Sequence, residues 1–233
     1  MKLSVIIPVY NEEETVSEII RKVKKVSLPR IEKEIVVVND ASSDGTANVL
    51  KKIKGIKTFH HKKNKGKGAA LKTGISKSTG DIIIIQDADL EYDPNDYKKL
   101  LEPILDKKAV VVYGSRLKNY PLRFAGKKKT PLITHYLGNK FLTFVTNFLY
   151  GEAVTDMETC YKVFKKEALD GVGIEAKRFE FEPEITAKML KRGHKIHEVP
   201  IKVDPRGYDE GKKITWKDGF VAVWTLIKYK FID

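Results

Sequence analysis

Two aspartates, Asp87 and Asp89, flank one alanine and follow, past Gln86, four consecutive isoleucines, Ile82 to Ile85. A run that short, apolar and β-branched reads as a buried strand. Its two carboxylates then stand just beyond the carboxyl end, where they can share a hard divalent cation with phosphate oxygens and water. Such a cation, Mg²⁺ or Mn²⁺, would accept charge developing on a departing diphosphate. Taken alone, Asp87 could equally cap a turn and Asp89 face solvent. Two further strand ends weigh against that reading: Leu3 to Val9 runs into Tyr10-Asn11-Glu12, and Ile35 to Val38 runs into Asn39-Asp40-Ala41-Ser42-Ser43-Asp44-Gly45. Asp40 can accept hydrogen bonds from a base N–H, in competition with an Asx turn that the same stretch favours.

For these residues to meet, the strands must lie in one sheet. The apolar runs are continuous rather than alternating, as in parallel strands covered on both faces. Further strands are predicted at Ile56 to His60 and Val110 to Tyr113. Helices are predicted between them: Thr15 to Val26, a segment after Asp44 carrying Val49, Leu50 and Ile53, Ala69 to Ser76, and one opened by Pro94. The fold class is α/β, an open, mostly parallel, Rossmann-like sheet flanked by helices. In such a sheet ligands bind beyond the strands' carboxyl ends.

After Ser115 the pattern changes. Residues 116–134 hold Arg116, Lys118, Arg123, Lys127, Lys128 and Lys129 and no acid, a long basic loop of the kind that forms lids and binding loops. A helix from His135 to Leu149, a short strand at Tyr161 to Phe164, a helix from Glu184 to Lys191 stopped at Gly193, a strand at Lys195 to Val203 and a last helix from Trp216 to Tyr229 are expected. No linker divides the chain, so residues 1–233 read as one domain.

The net charge is +13, from 44 Lys and Arg against 31 Asp and Glu, and it implies an anionic partner. A lysine-coated solvated face is the plainer account, and the ten lysines with no acid between Lys51 and Lys77 read mostly as such a surface. The single Cys160 excludes a disulfide framework and a multi-cysteine zinc site. No apolar stretch is long enough to span a bilayer. Nucleic-acid binding, suggested by the charge and by His60-His61-Lys62-Lys63, lacks any recognised motif, so no specific nucleic acid is expected. Gly66-Lys67-Gly68 has neither dinucleotide nor P-loop spacing, but it can supply backbone N–H groups and one lysine near phosphate.

With S-V-I-I-P-V-Y-N-E at 4–12, I-V-V-V-N-D-A-S-S-D-G-T at 35–46, N-K-G-K-G-A-A-L at 64–71, G-D-I-I-I-I-Q-D-A-D-L at 80–90 and Y-G-S-R at 113–116, the chain resembles the inverting family 2 glycosyltransferases of GT-A fold. Within them it is most similar to dolichyl-phosphate mannose synthases and related polyprenyl-phosphate hexose synthases. The resemblance implies that Pro8, Tyr10, Glu12 and Asp40 line the nucleotide pocket, and that Lys67 and Gly68 lie near ribose or phosphates. It implies that Asp87 meets the diphosphate directly or through the metal, and that Asp89 is the principal metal ligand. Glu91 stands where those synthases carry a metal-assisting Gln. Arg116 resembles an arginine that meets donor or acceptor phosphate, with Arg123 and His135 as candidates for a second. Arg206, Lys212 and Lys213 resemble a C-terminal basic loop over the diphosphate. Asp156 and Glu158, in T-D-M-E-T-C-Y-K, would arrange the acceptor side or form a salt-bridged turn, and Glu182 and Glu184, in R-F-E-F-E-P-E-I, flank Pro183 at a helix start, where the helix dipole by itself also favours carboxylates. Residues 1–115 would then be the nucleotide-sugar half and 116–233 the acceptor half.

The resemblance implies transfer of a hexose, mannose from GDP-mannose first, to a dolichyl or polyprenyl phosphate. The alternatives are glucose from UDP-glucose, or hexose addition to a glycan or lipid-linked saccharide; a scaffold with this fold is a further one. A lipid phosphate is already ionised near neutral pH, with a second pKa of about 6, and needs cations more than a base. A sugar hydroxyl would need a carboxylate such as Asp156 or Glu158. A cytoplasmic location, peripheral at an anionic membrane or on a membrane-anchored partner subunit, is expected. The final segment, with Phe220, Val221, Val223, Trp224, Leu226, Ile227, Tyr229 and Phe231, would then pack on the sheet or touch lipid.

Overall fold

The computed structural model describes residues 1–118, 133–204 and 216–232. Seven strands form one sheet: β1 (Lys2–Val9), β2 (Glu32–Asn39), β3 (Lys57–His60), β4 (Ile82–Ile85), β5 (Val111–Ser115), β6 (Lys162–Lys165) and β7 (Ile196–Pro200), in the order β3-β2-β1-β4-β6-β5-β7. Both halves of the chain contribute to it. The helices are α1 (Val16–Lys25), α2 (Thr46–Lys52), α3 (Lys67–Lys77), α4 (Tyr97–Leu105), α5 (Ile133–Tyr150), α6 (Lys166–Leu169), α7 (Phe181–Lys191) and α8 (Trp216–Phe231).

The continuous apolar runs behave as expected of strands covered twice. Along β1, Leu3, Val5, Ile7 and Val9 pack with α1 and α4, while Ile6 packs on the other face with Leu71 of α3 and Phe181, Ile185 and Met189 of α7. The same period of two divides Ile82 and Ile84 from Ile83 and Ile85. Pro8 is tolerated in a central strand because pairing with β4 stops at Ile6 opposite Ile85. A third apolar cluster, with Leu142, Met157, Ala187, Leu226 and Tyr229, joins α5, α7 and α8.

The expected strand at Tyr161 to Phe164 lies one residue further on and runs antiparallel to both β4 and β5. Its direction follows from the route of the chain. Strand β5 ends at the carboxyl rim, and the turn that precedes β6 is pinned to that rim by Asp156, so β6 has to start there and run back. The helix expected from Glu184 begins earlier, at Phe181, because Pro183 fits within a first turn, where no backbone donor is missed.

Candidate active site

The rim begins where β1 and β2 end. Asn11, in the left-handed region at φ 54°, donates its amide to Ser42 Oγ at 3.0 Å and accepts from the Ser43 amide at 2.8 Å. The Glu12 amide donates to Thr46 Oγ1 at 3.0 Å, and its carboxylate accepts from the Thr15 hydroxyl at 2.7 Å. Pro8, half-buried, and Tyr10, 37% exposed, stand at the same edge. Ala41 at φ 58° and Leu90 at φ 66° also adopt the left-handed region, one after β2 and one after β4. For residues other than Gly this costs on the order of 1 kcal/mol each, and such strain collects at functional sites.

Asp40 is buried. Its carboxylate accepts from the amides of Lys65 at 3.0 Å and Gly66 at 2.6 Å, and it meets His61 Nδ1 at 2.6 Å. His61 Nε2 reaches Thr73 Oγ1 at 2.9 Å, so this histidine is a part of the rim rather than of a basic patch. Asp40 thus shapes the turn that leads into α3. Gly66 sits at φ 91°, and a Cβ there would lie 2.3 Å from the Lys177 carbonyl, so no other residue fits.

The expectation that this turn offers backbone N–H groups to phosphate is corrected. The Gly66 amide serves Asp40, and those of Gly68 and Ala69 donate to the carbonyls of Arg178 and Lys177, each at 3.2 Å. What the turn presents instead is the side chain of Lys67. It is only 15% exposed, whereas the other nine lysines between Lys51 and Lys77 are exposed, as expected of a mostly solvated run.

Lys67 Nζ lies 3.0 and 3.1 Å from the two Asp87 oxygens, 3.0 Å from Glu182 Oε1 and 3.2 Å from Cys160 Sγ. Burial alone would lower its pKa, but Asp87, Cys160 and Glu182 outweigh burial and hold the ammonium well above its usual range. The Cys160 thiol is pushed up by burial and by Asp87. Asp87 itself is held from below by Gln86. That fully buried amide donates to the carbonyls of Asp87 and Tyr92 and accepts from the hydroxyls of Tyr97 and Tyr161, both at 2.7 Å. All four of its bonding sites are used. Asp89 Oδ1 accepts from the Glu91 amide at 3.1 Å, so Glu91 fixes its neighbour through its backbone.

On the far side, Arg116 leaves β5 and grips Asp156 through Nε at 2.8 Å and Nη2 at 2.7 Å, while its own amide also donates to Asp156. Asp156 is fully buried, and the arginine side chain keeps 20% exposure. Asp156 therefore fills the salt-bridged role weighed for it from sequence. Glu158 differs: its Oε1 is shut off from solvent and has no hydrogen-bond partner. Burial first, then the charge of Glu182, pushes its pKa up to about 7. Lys162, wholly buried beside it, donates to the carbonyls of Met157 and Thr159 and lies 4.4 Å from the Tyr113 ring centre, and burial lowers its pKa. Glu184 is used structurally, accepting from the amides of Glu175 and Ala176 and from Lys188.

Asp40 and Asp87 are thus tied to one short turn, Asp40 through Lys65 and Gly66 and Asp87 through Lys67, and polar contacts link every strand end from β1 to β5. Residues 4–173 match the glycosyl transferase family 2. The chain belongs to that family. A UDP-N-acetylglucosamine–dolichyl-phosphate N-acetylglucosaminyltransferase of Methanococcus voltae is 31% identical over 97% of this chain and 94% of its own length. A dolichol-phosphate mannosyltransferase of Pyrococcus furiosus is 29% identical over 91% of this chain and 59% of its own. Among solved structures, glucosyl-3-phosphoglycerate synthase from Mycobacterium tuberculosis, in complex with Mn²⁺, UDP-glucose and phosphoglyceric acid, superposes with a TM-score of 0.73 at 18% identity, covering 100% of this chain and 80% of that one. The fold is that of a GT-A, Rossmann-like glycosyltransferase.

Several expected site residues of this family 2 glycosyltransferase, Arg123, Arg206, Lys212, Lys213 and the side chain of His135, lie outside the described residues. Among the described residues no group of three His, Cys, Asp or Glu side chains is arranged to hold a metal. The chain's own donors at the β4 end are the carboxylates of Asp87 and Asp89, with that of Glu91 two residues further on. Their all-oxygen chemistry fits a hard cation that takes its remaining ligands from phosphate and water. Sequence reading gave no pairing role to Cys160 or Glu182 and no orienting role to Gln86. The signal for Gln86 was an amide directly after four buried isoleucines, where only a satisfied polar group is tolerated. For Cys160 and Glu182 there was none, because their partner Lys67 is 93 residues away from Cys160.

Proposed function

We propose that this glycosyltransferase moves a hexose, or a hexosamine of the same size class, from a UDP-sugar to a polyprenyl phosphate with inversion at the anomeric carbon. The observation that carries the acceptor is Arg116. Asp156 takes its Nε and Nη2 and leaves Nη1 outside the pair on a side chain still partly exposed, which is a guanidinium oriented in advance for phosphate. Pre-oriented charge of this kind favours an acceptor that arrives ionised. UDP is favoured over GDP because the relative matched over nearly its full length is named for UDP-N-acetylglucosamine, and the fold neighbour binds UDP-glucose. The mannose reading rests on a relative of which the match covers 59%.

In this reading the rim of residues 1–115 holds the donor, with Pro8, Tyr10, Glu12 and Asp40 around the nucleoside and Lys67 and Asp87 toward the diphosphate. The rim of 116–233 holds the acceptor. Asp89 and Asp87 would hold Mg²⁺ or Mn²⁺, which, when bound, would offset charge on the departing UDP. The acceptor phosphate oxygen forms its bond to the anomeric carbon as the bond to the diphosphate breaks, and the electron pair leaves with UDP. Lys67 keeps Asp87 oriented and Glu182 neutralised while this happens.

Glu158 favours a second reading. A carboxylate whose pKa is raised to about 7, on a half-buried residue, is suited to take a proton from a hydroxyl acceptor, either a sugar or a small hydroxy acid, that reaches its second oxygen. One experiment separates the two. Purified enzyme is offered UDP-glucose, UDP-N-acetylglucosamine and GDP-mannose in turn, with polyprenyl phosphate or a hydroxyl acceptor and Mn²⁺, and the product is identified by mass spectrometry. The main reading requires a UDP-sugar-dependent glycosyl phospholipid. Product from GDP-mannose alone, or from the hydroxyl acceptor alone, would overturn it.

A further inference from the structure

Helix α5 turns Leu142, Thr143 and Thr146 inward and presents Leu137, Phe141, Phe144 and Phe148 outward, at spacings of four, three and four. That is one stripe along a helix. Helix α8 does the same, with Ala222, Leu226 and Tyr229 inward and Phe220, Val221, Trp224, Ile227 and Phe231 outward. The two helices share the third apolar cluster, and Tyr150 donates its hydroxyl to the Leu226 carbonyl at 2.7 Å, so their outer faces lie side by side. Nine of the thirteen exposed large apolar side chains among the described residues are on these two faces, with Phe148 79% and Trp224 65% exposed. A concentration of that kind marks an interaction surface.

We propose that the joined outer faces of α5 and α8 dock the protein onto the interface of an anionic lipid bilayer. Charge selects this occupant. The chain carries +13, and lysines border the aromatic stripes: Lys140 with its Nζ 5.9 Å from the Tyr136 ring centre and Lys230 with its Nζ 5.2 Å from that of Tyr150. A second copy would bring another strongly cationic surface against the first, whereas anionic headgroups neutralise it. Aromatic residues on one face with lysines at its edges are the composition of helices that lie in the headgroup region, and no described helix is long and apolar enough to cross a membrane. The buried cluster that joins the two helices also adjoins the acceptor side of the rim, since its Met157 follows Asp156, the partner of Arg116. The proposal extends the polyprenyl-phosphate reading, and its test is independent of it.

The full chain is floated with acceptor-free phosphatidylcholine vesicles, with and without phosphatidylglycerol, alongside a Phe148→Ser/Trp224→Ser variant. Folding of the variant is checked by circular dichroism, and its transfer activity is measured with a short-chain, water-soluble polyprenyl phosphate and no vesicles. The wild type should float with the anionic vesicles, less with neutral ones, and the variant should lose about tenfold or more of its binding while keeping its activity. Three results would overturn the proposal: a wild type that stays unbound to anionic vesicles at low salt, a folded variant that floats equally well, or a wild-type dimer that the substitutions convert to monomer with vesicle binding unchanged. Failure of transfer to the soluble acceptor would instead count against the acceptor reading alone.

Discussion

Along β1 and β2 the rim is held by short polar side chains and backbone amides, Asn11 to Ser42 and Ser43, Glu12 to Thr46, and Asp40 to Lys65 and Gly66. Along β4, β5 and β6 it is held by charges of low exposure paired over long chain separations, Lys67 with Asp87 and Glu182, and Arg116 with Asp156. Apart from buried Asp40, the first arrangement is forgiving, because around Asn11 a lost hydrogen bond near solvent is replaced by water. The second is not, because removing one partner leaves the other charge buried and alone. Rigidity along β4, β5 and β6 therefore comes at greater risk to stability, and it fixes the Arg116 guanidinium and the carboxylates of Asp87 and Asp156.

The largest expected effect lies at the boundary between the two regions. Asp89→Asn should leave the fold and melting behaviour intact and lower transfer by about 100-fold or more, the equivalent of about 3 kcal/mol of transition-state stabilisation. Near-normal metal-dependent turnover by the folded variant would remove the metal role from this pair.

A direct test of the contrast follows from urea unfolding. Arg116→Met or Asp156→Leu should each cost about 3 to 4 kcal/mol, and combining them should restore much of the stability but none of the transfer. Asn11→Ala, on the other side, should cost about 1 kcal/mol. Equal losses at the two places would erase the distinction. Gln86→Leu comes next, at about 2 kcal/mol, since it strips the hydroxyls of Tyr97 and Tyr161 of their shared acceptor. Unchanged stability would show that these groups find other partners.

The last effect is confined to one pH window. Glu158 has its pKa raised from 4.5 to about 7, so the folded chain binds this proton more tightly than the unfolded chain does. Its contribution to stability is fully present below pH 4.5, falls as the pH rises to about 7, and stays lost above that. Glu158→Gln should flatten this slope and gain about 3 kcal/mol relative to wild type above the window. A stability profile between these pH values identical in the two proteins would contradict the buried, unpartnered carboxylate.

The parts of this fold that were legible in the sequence are those in which one segment suffices. Four isoleucines make a buried strand wherever they sit, and strand ends rich in Asp, Asn, Ser and Gly must turn. The ordered motifs from Ser4 to Arg116 also placed Asp40, Lys67, Asp87 and Asp89 on one rim. The antiparallel course of β6 was not legible, because a strand of four residues carries no sign of its direction. Nor was the α5 stripe, whose apolar periodicity reads the same whether it faces a core or an interface.

Sequence alone determined which residues could act and on which edge of the sheet they would stand, because hydrophobic period and turn chemistry are local properties. Tertiary structure alone decided how they pair. That Lys67 would hold Asp87, Glu182 and Cys160 together, that Asp156 would hold Arg116, and that Glu158 would keep one oxygen without a partner depend on groups far apart in the chain meeting where water is scarce. Their protonation and orientation are set by those neighbours and by the desolvation that surrounds them.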